Sequence, residues 1–137
     1  MKYPKEEILD EEFVYYRVHD HYLDKKTKQI TKNAFRPQGD DLSVDWSRYS
    51  TAQKLNDRAK KPEKNSVIRF HVEALRNKAG GEYTVEHDPL PTEVVPDIDN
   101  QAHSLIAGNW QANKTSIRHK LFKSRFEVVL RSAELTD

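Results

Sequence analysis

The sequence predicts a single α+β domain in which about six short strands form a mixed sheet and about three helices pack against it. Segments typical of strands, such as residues 13–19 and 66–72, alternate along the chain with short helical patterns that begin near Thr51 and Asn113. A chain of 137 residues also has the length of one ordinary domain. We expect residues 1–11 to form a flexible N-terminal segment of that domain.

The first half of the chain contains two strand patterns followed by a helix pattern. Phe13–His19 (FVYYRVH) is rich in aromatic and β-branched residues and predicts a strand, and Leu42–Asp45 predicts a second, shorter one. Ser50 or Thr51 supplies an N-cap for a polar helix that ends before Pro62. Because this helix has few apolar residues, we expect it to lie across the outside of the domain. Its inward-facing candidates are Ala52, Leu55 and Ala59.

Ser66–Val72 is the clearest strand pattern, because apolar residues occupy every second position. One face carries Ile68, Phe70 and Val72, and the other carries Val67, Arg69 and His71.

The second half of the chain predicts three more strands and two helical stretches. One or two helical turns end at the pair Gly80-Gly81, and Tyr83–His87 is again extended. Ala102–Ala107 predicts a central strand, residues 113–124 predict a basic helix capped by Asn113, and a last strand begins at Phe126.

Composition excludes several classes of protein. The chain has no cysteine, so disulfides and thiolate metal sites are excluded. No segment resembles a signal peptide or a membrane span, which predicts a cytoplasmic protein. A net charge of +1 argues against a surface that binds nucleic acid everywhere, so binding of an anionic partner requires a local patch. No cofactor is expected.

Residues 35–51 (FRPQGDDLSVDWSRYST) form the most distinctive polar segment. Arg36 and Arg48 could hold phosphate or carboxylate as bidentate forks, while Trp46 or Tyr49 stacks on a ring. This pattern favours an anion-binding or partner-binding site.

The same segment also has a purely structural interpretation, in which its charges neutralise one another. Arg36 could pair with Asp40, Asp41 or Asp45 and hold the loop in place. No phosphate-binding or hydrolase motif accompanies these residues.

Two histidines and an aspartate form the best catalytic candidate. His87 and Asp88 lie at the end of one predicted strand and His103 near the start of another, so adjacent strands could bring both imidazoles to one sheet edge. A histidine beside a carboxylate is the usual general acid or base. The alternative is a hydrogen-bonded core position for His103 and a turn at His87-Asp88.

A third histidine-rich motif, His19-Asp20-His21, has the residue types of a metal site. Because no third ligand follows at a defined spacing, the motif favours a polar strand exit, and no metal is expected.

Neighbouring segments of opposite charge form another feature. Residues 86–99 contain five acids and no Lys or Arg, whereas residues 114–125 contain five bases and no acid. The basic helix could contact nucleic-acid phosphates, or the acidic loop could fold over it as an internal counter-charge. The partner-binding cations of this interpretation are Lys114, Arg118, Lys120 and Arg125.

At FRPQGDDLSVDWSRYST, EHDPLP and AHSLIAGN, the chain resembles a group of small bacterial proteins of uncharacterised function. These proteins begin with a similar strand near FVYYRVH, and the resemblance covers about residues 13–110. It implies a bacterial intracellular protein of one domain and assigns no catalytic or binding role.

The sequence therefore predicts a binding or accessory protein that recognises an anionic protein segment or nucleic acid. The residues expected to bind are Arg36, Asp45, Trp46, Arg48 and the cations of the basic helix. One alternative is a small enzyme acting on a nucleotide or phosphoester through His87, Asp88 and His103, with Arg36 holding phosphate. A second alternative is a subunit of a homo-oligomer that pairs through a sheet edge.

Overall fold

The computed structural model describes residues 3–36, 41–78, 83–90, 100–108, 118 and 121–136. Six strands form one sheet in the order β4-β5-β2-β1-β3-β6. They are β1 Phe13–His19, β2 Asp41–Trp46, β3 Asn65–His71, β4 Thr84–His87, β5 His103–Ala107 and β6 Phe126–Leu130. The six predicted strands are confirmed in the described part of the chain.

Every strand pairing in the sheet is antiparallel, so the mixed sheet expected from the sequence is wrong. β2 and β3 run in the same direction, but β1 lies between them and is antiparallel to both. The connection from β2 to β3 therefore crosses β1 through the short helix α1 (Ala52–Asp57) without forming a parallel pair.

Alternation along β1 defines the two faces of the sheet. Val14, Tyr16 and Val18 are buried and face what we call the inner face. Their register partners on β3 include Phe70 and Ile68, which are fully buried as the pattern of β3 predicts.

Three segments cover the inner face. The connection from β1 to β2 brings Phe35 within 6.0 Å of the Phe126 ring and 5.7 Å of the Phe70 ring, measured between ring centroids. The N-terminal segment contributes Ile8, and the helical residues 121–123 contribute Leu121, both fully buried. Aromatic and aliphatic burial on this face supplies the main stabilisation of the fold.

The other side of the sheet, which we call the outer face, carries α1. Thr51 caps the helix as predicted, because its side chain accepts the Lys54 N–H at 3.1 Å. The helix is shorter than expected, and its buried residue is Asn56. The Asn56 side-chain amide donates to the Pro62 carbonyl at 3.0 Å, so a polar residue holds the chain reversal after α1.

The remaining helical elements are short. A π-helical turn, Ala74–Lys78, follows β3 where the sequence predicts helical turns, and a second α-helix, α2, spans Ala133–Thr136. Gly80-Gly81 and Asn113 lie outside the described residues, so the predicted ends of their helices are not part of this description.

Candidate anion-binding site

Tyr16 organises the candidate site from the inner face of β1. Its hydroxyl donates to the Ala34 carbonyl at 2.7 Å and accepts the Arg36 backbone N–H at 3.0 Å. The 3₁₀ turn Lys32–Ala34 directs the chain across this hydroxyl. The two hydrogen bonds therefore fix the backbone from which the Arg36 side chain extends.

Two guanidinium charges act on the Tyr16 hydroxyl. Burial raises the pKa of Tyr16, and the backbone hydrogen bond from Arg36 opposes that rise, as do the positive charges of Arg36 and Arg118. Arg36 contacts the Tyr16 hydroxyl through its backbone, and Arg118 acts on that hydroxyl through its charge. One cation from each of the two predicted binding segments therefore acts on the Tyr16 hydroxyl.

Neither of these arginines forms an ion pair within the described ranges. Asp41 and Asp45 do not pair with Arg36, while Asp40 lies outside those ranges. The Arg36 guanidinium lies over the Tyr22 ring, with Cζ 5.3 Å from the ring centroid. Nε of Arg118 is buried and has no hydrogen-bond partner among the residues that the structure describes.

The other predicted cations of the basic helix are not part of this pair. Arg125 is exposed just before β6, and its carbonyl accepts the His71 N–H at 3.3 Å. Lys114 and Lys120 lie outside the described residues.

Arg48 and Trp46 take part in contacts that do not include Arg36. Arg48 pairs with Glu12 at 3.1 Å and with Glu6 at 3.6 Å, and it stacks on the Trp46 ring. Trp46 is fully buried, which favours a core role over stacking on a ligand.

Asp45 is a buried carboxylate on the outer face with three partners. Ser50 donates to it at 2.8 Å, Asn100 at 2.9 Å and Arg58 at 2.5 Å. Because Ser50, Arg58 and Asn100 occupy this carboxylate, Asp45 links β2 to α1 and to the start of β5, which is a structural role. Arg58 and Asn100 could not be predicted as partners of Asp45 from the sequence, because both lie outside the segment that contains Asp45.

The two candidate catalytic histidines lie on adjacent strands but on opposite faces. His87 pairs in register with Ser104 and is buried on the inner face, 4.9 Å from Trp46 between ring centroids. Its Nδ1 accepts the Glu6 N–H at 3.0 Å, and Nε2 lies 2.6 Å from the Gln101 carbonyl. Both ring nitrogens are thus engaged by backbone groups, as in a structural histidine.

His103 lies on the outer face beside Asp88. Its side chain is 15% exposed, and Nδ1 lies 2.8 Å from the Asp88 carbonyl oxygen and 3.4 Å from its Oδ2. His87, His103 and Arg36 therefore do not line one cleft, and the predicted phosphoester site is not assembled from these three residues.

The His19-Asp20-His21 motif forms the turn after β1. Nδ1 of His19 accepts the His21 N–H at 2.9 Å, and a cleft of about 420 Å³ beside the motif is lined partly by Lys25, Lys61 and Lys64. No group of three His, Cys, Asp or Glu side chains in the described ranges could hold a metal ion.

No family model, no curated protein and no solved structure matches this chain. Among the described residues, no helix is long and apolar enough to span a membrane.

Proposed function

We propose that this protein binds an acidic segment of a partner protein, and that Arg36 and Arg118 hold carboxylates of that segment. The proposal depends on one observation. The guanidinium charges of Arg36 and Arg118 both act on the Tyr16 hydroxyl, and neither guanidinium group has a carboxylate partner in the described structure.

Two positive charges that act on the same hydroxyl repel each other, and an anion bound between them would relieve that repulsion. The chain has 22 acidic residues, and Arg48, Arg58, Arg69 and Arg76 are all paired with one. Arg36 and Arg118 have no ion pair among the described residues, as is also true of Arg17, Arg125 and Arg131, but the charges of Arg36 and Arg118 both act on Tyr16. The buried Nε–H of Arg118 has no acceptor in the described structure. A carboxylate received here would gain charge-assisted hydrogen bonds from planar donors.

The aromatic residues near the pair favour a protein segment over a nucleic acid. Arg36 covers the Tyr22 ring, so this ring offers no open platform for a base. Phe122 is 36% exposed, and its ring lies 6.2 Å from that of Phe126, which in turn lies 6.0 Å from Phe35, the residue before Arg36. An exposed apolar residue in this region suits a partner with an apolar residue beside its acids.

Fluorescence anisotropy with a labelled peptide of alternating glutamate and leucine tests the proposal. We expect Arg36→Ala and Arg118→Ala each to weaken binding at least about tenfold, since a hydrogen bond to a charged group contributes about 1.5–3 kcal/mol. Arg48→Ala is the matched control, because Arg48 is already neutralised by Glu6 and Glu12. It should leave the peptide affinity unchanged.

Single-stranded DNA of the same net charge provides the competing ligand. Tighter binding of DNA than of peptide, with affinity falling steeply as salt rises, would reject the acidic-segment proposal in favour of phosphate recognition. Equal losses in all three arginine variants would reject a specific role for Arg36 and Arg118.

A further inference from the structure

A serine, a histidine and an aspartate meet on the outer face of the sheet. Ser43 is exposed on β2, and its Oγ lies 3.3 Å from Nε2 of His103 on β5. Nδ1 of His103 faces the carbonyl and the carboxylate of Asp88. Because a carbonyl oxygen only accepts, the ring proton lies on Nδ1 and the lone pair of Nε2 points at the Ser43 hydroxyl.

Asp88 holds His103 through its backbone as well as its side chain. The Asp88 N–H donates to the His103 carbonyl at 2.9 Å, so the two residues bond to each other in both directions. Pro89 follows Asp88 and restricts it to an extended backbone. The ring of His103 is therefore held in one orientation, which a general base requires.

The backbone N–H of Ser43 points away from β5 and lies beyond the register pairs that join β1 and β2. Trp46 N–H bonds to the Ala102 carbonyl on the β5 side, and backbone groups alternate sides along a strand, so the Ser43 N–H points toward β1. Pairing between β1 and β2 ends at Tyr15 and Asp45 and does not reach Ser43. This donor lies on the nucleophile's own residue, where acyl-transfer enzymes use one to stabilise an oxyanion.

We propose that Ser43, His103 and Asp88 form an acyl-transfer site for small esters with good leaving groups, such as aryl esters. The Ser43 oxygen attacks the ester carbonyl while Nε2 of His103 takes its proton. The tetrahedral intermediate expels the alcohol, which receives that proton, and leaves an ester on Ser43. Water then hydrolyses this ester with His103 again as base, which releases the acid and restores the serine.

The shape of the site sets the substrate class. Ser43 lies on an open sheet face, and the clefts of about 500 and 420 Å³ in the described structure are lined by other residues. With one oxyanion donor identified, expulsion of a poor leaving group would be slow. This site differs from the sequence hypothesis in using neither His87 nor Arg36.

The test is covalent labelling with a fluorophosphonate probe, followed by peptide mapping, together with hydrolysis of p-nitrophenyl acetate. We expect the wild-type chain to carry the label on Ser43. His103→Gln should slow labelling and acylation by about 100-fold or more, the usual contribution of a general base. Ser47→Ala is the matched control. Ser47 directly follows β2, the strand that contains Ser43, and its hydroxyl accepts the Phe13 N–H rather than contacting His103. Its labelling rate should equal that of the wild type.

Mapping of the wild-type chain requires no variant and decides the proposal by itself. A label on any residue other than Ser43, or no label at all, overturns the proposal, as does an equal labelling rate in His103→Gln.

Asp88→Asn tests the role of Asp88 in positioning His103. Loss of the carboxylate should lower kcat for p-nitrophenyl acetate and leave KM unchanged, and an unchanged kcat would reject the part assigned to the Asp88 carboxylate.

Discussion

Burial decides what each histidine of this protein can do. His87 has both ring nitrogens bonded to backbone groups and packs against Trp46, whereas His103 keeps one nitrogen directed at an exposed serine. The two residues have similar sequence surroundings at strand ends, yet their positions on opposite faces give them different roles.

Replacement of His87 by Ala should destabilise the protein by about 2–4 kcal/mol, because it removes ring packing and leaves the Glu6 N–H and the Gln101 carbonyl without partners. Urea unfolding monitored by tryptophan fluorescence measures the change. His103→Ala is the matched control and should cost about 1 kcal/mol, since His103 is partly exposed. Equal losses in the two variants would contradict the core role of His87.

At the level of single residues, the chemistry of the site was predictable from the sequence, but the long-range contacts of its residues were not. The candidates Arg36, Arg118 and His103 were chosen for their chemistry and motif context, which the sequence displays directly. The neutralisation of Arg48 by Glu6 and Glu12 was not predictable, because Glu6 lies in residues 1–11, which were expected to be flexible, and both contacts are long-range. Ser43 was missed because its contact with His103 is also long-range: β2 pairs with β5, Ser43 pairs with Leu105, and His103 lies diagonally across from Ser43.

At the scale of elements, the contact between β3 and β6 contains a charged cluster on the outer face. Glu127 on β6 receives Arg69 at 2.6 Å and His71 at 2.8 Å from β3. Hydrogen bonds from His71 and then Arg69 lower the pKa of Glu127 below its usual value of 4.5. The charged form is thus favoured in the folded state, and this edge strand is held partly by electrostatics.

We expect wild type to be more stable than Glu127→Gln at neutral pH. A lowered folded-state pKa stabilises the protein above the unfolded-state pKa, and that contribution is lost as pH falls through the folded value. The difference between the two proteins should therefore shrink below about pH 4.5 and vanish at still lower pH. Thermal melts across pH at low salt measure it. Glu86→Gln, an exposed strand position without an ion pair in the described structure, should show no such pH dependence.

Elements were predicted well where local pattern determines them. β1 has the predicted bounds, and the Thr51 cap follows from local hydrogen bonding. The inward side of α1 was predicted less well, because Asn56 is buried through a bond to the Pro62 carbonyl that apolar periodicity does not reveal. α2 was not predicted, since its four residues are too few for a helical pattern.

At the scale of the whole molecule, strand order determines which motifs meet. β5 lies beside β2, although about sixty residues separate them in sequence, and this places Ser43 and Asp45 next to His103 and Asn100. Strand order was left open by the sequence because pairing between distant strands has no local signature. The parallel pairs of a mixed sheet were expected from alternating strands and helices, but α1 crosses β1 and joins strands that are not neighbours.

The proposed function requires that Arg36 and Arg118 together bind carboxylates, whereas Arg48 is already paired with Glu6 and Glu12. Titration of isotope-labelled protein with the acidic peptide, observed at the arginine Nε–Hε resonances, tests it most directly. We expect the Arg36 and Arg118 signals to shift together along one saturating curve while the Arg48 signal stays in place. Shifts confined to other arginines, or equal shifts at all of them, would contradict the proposed function.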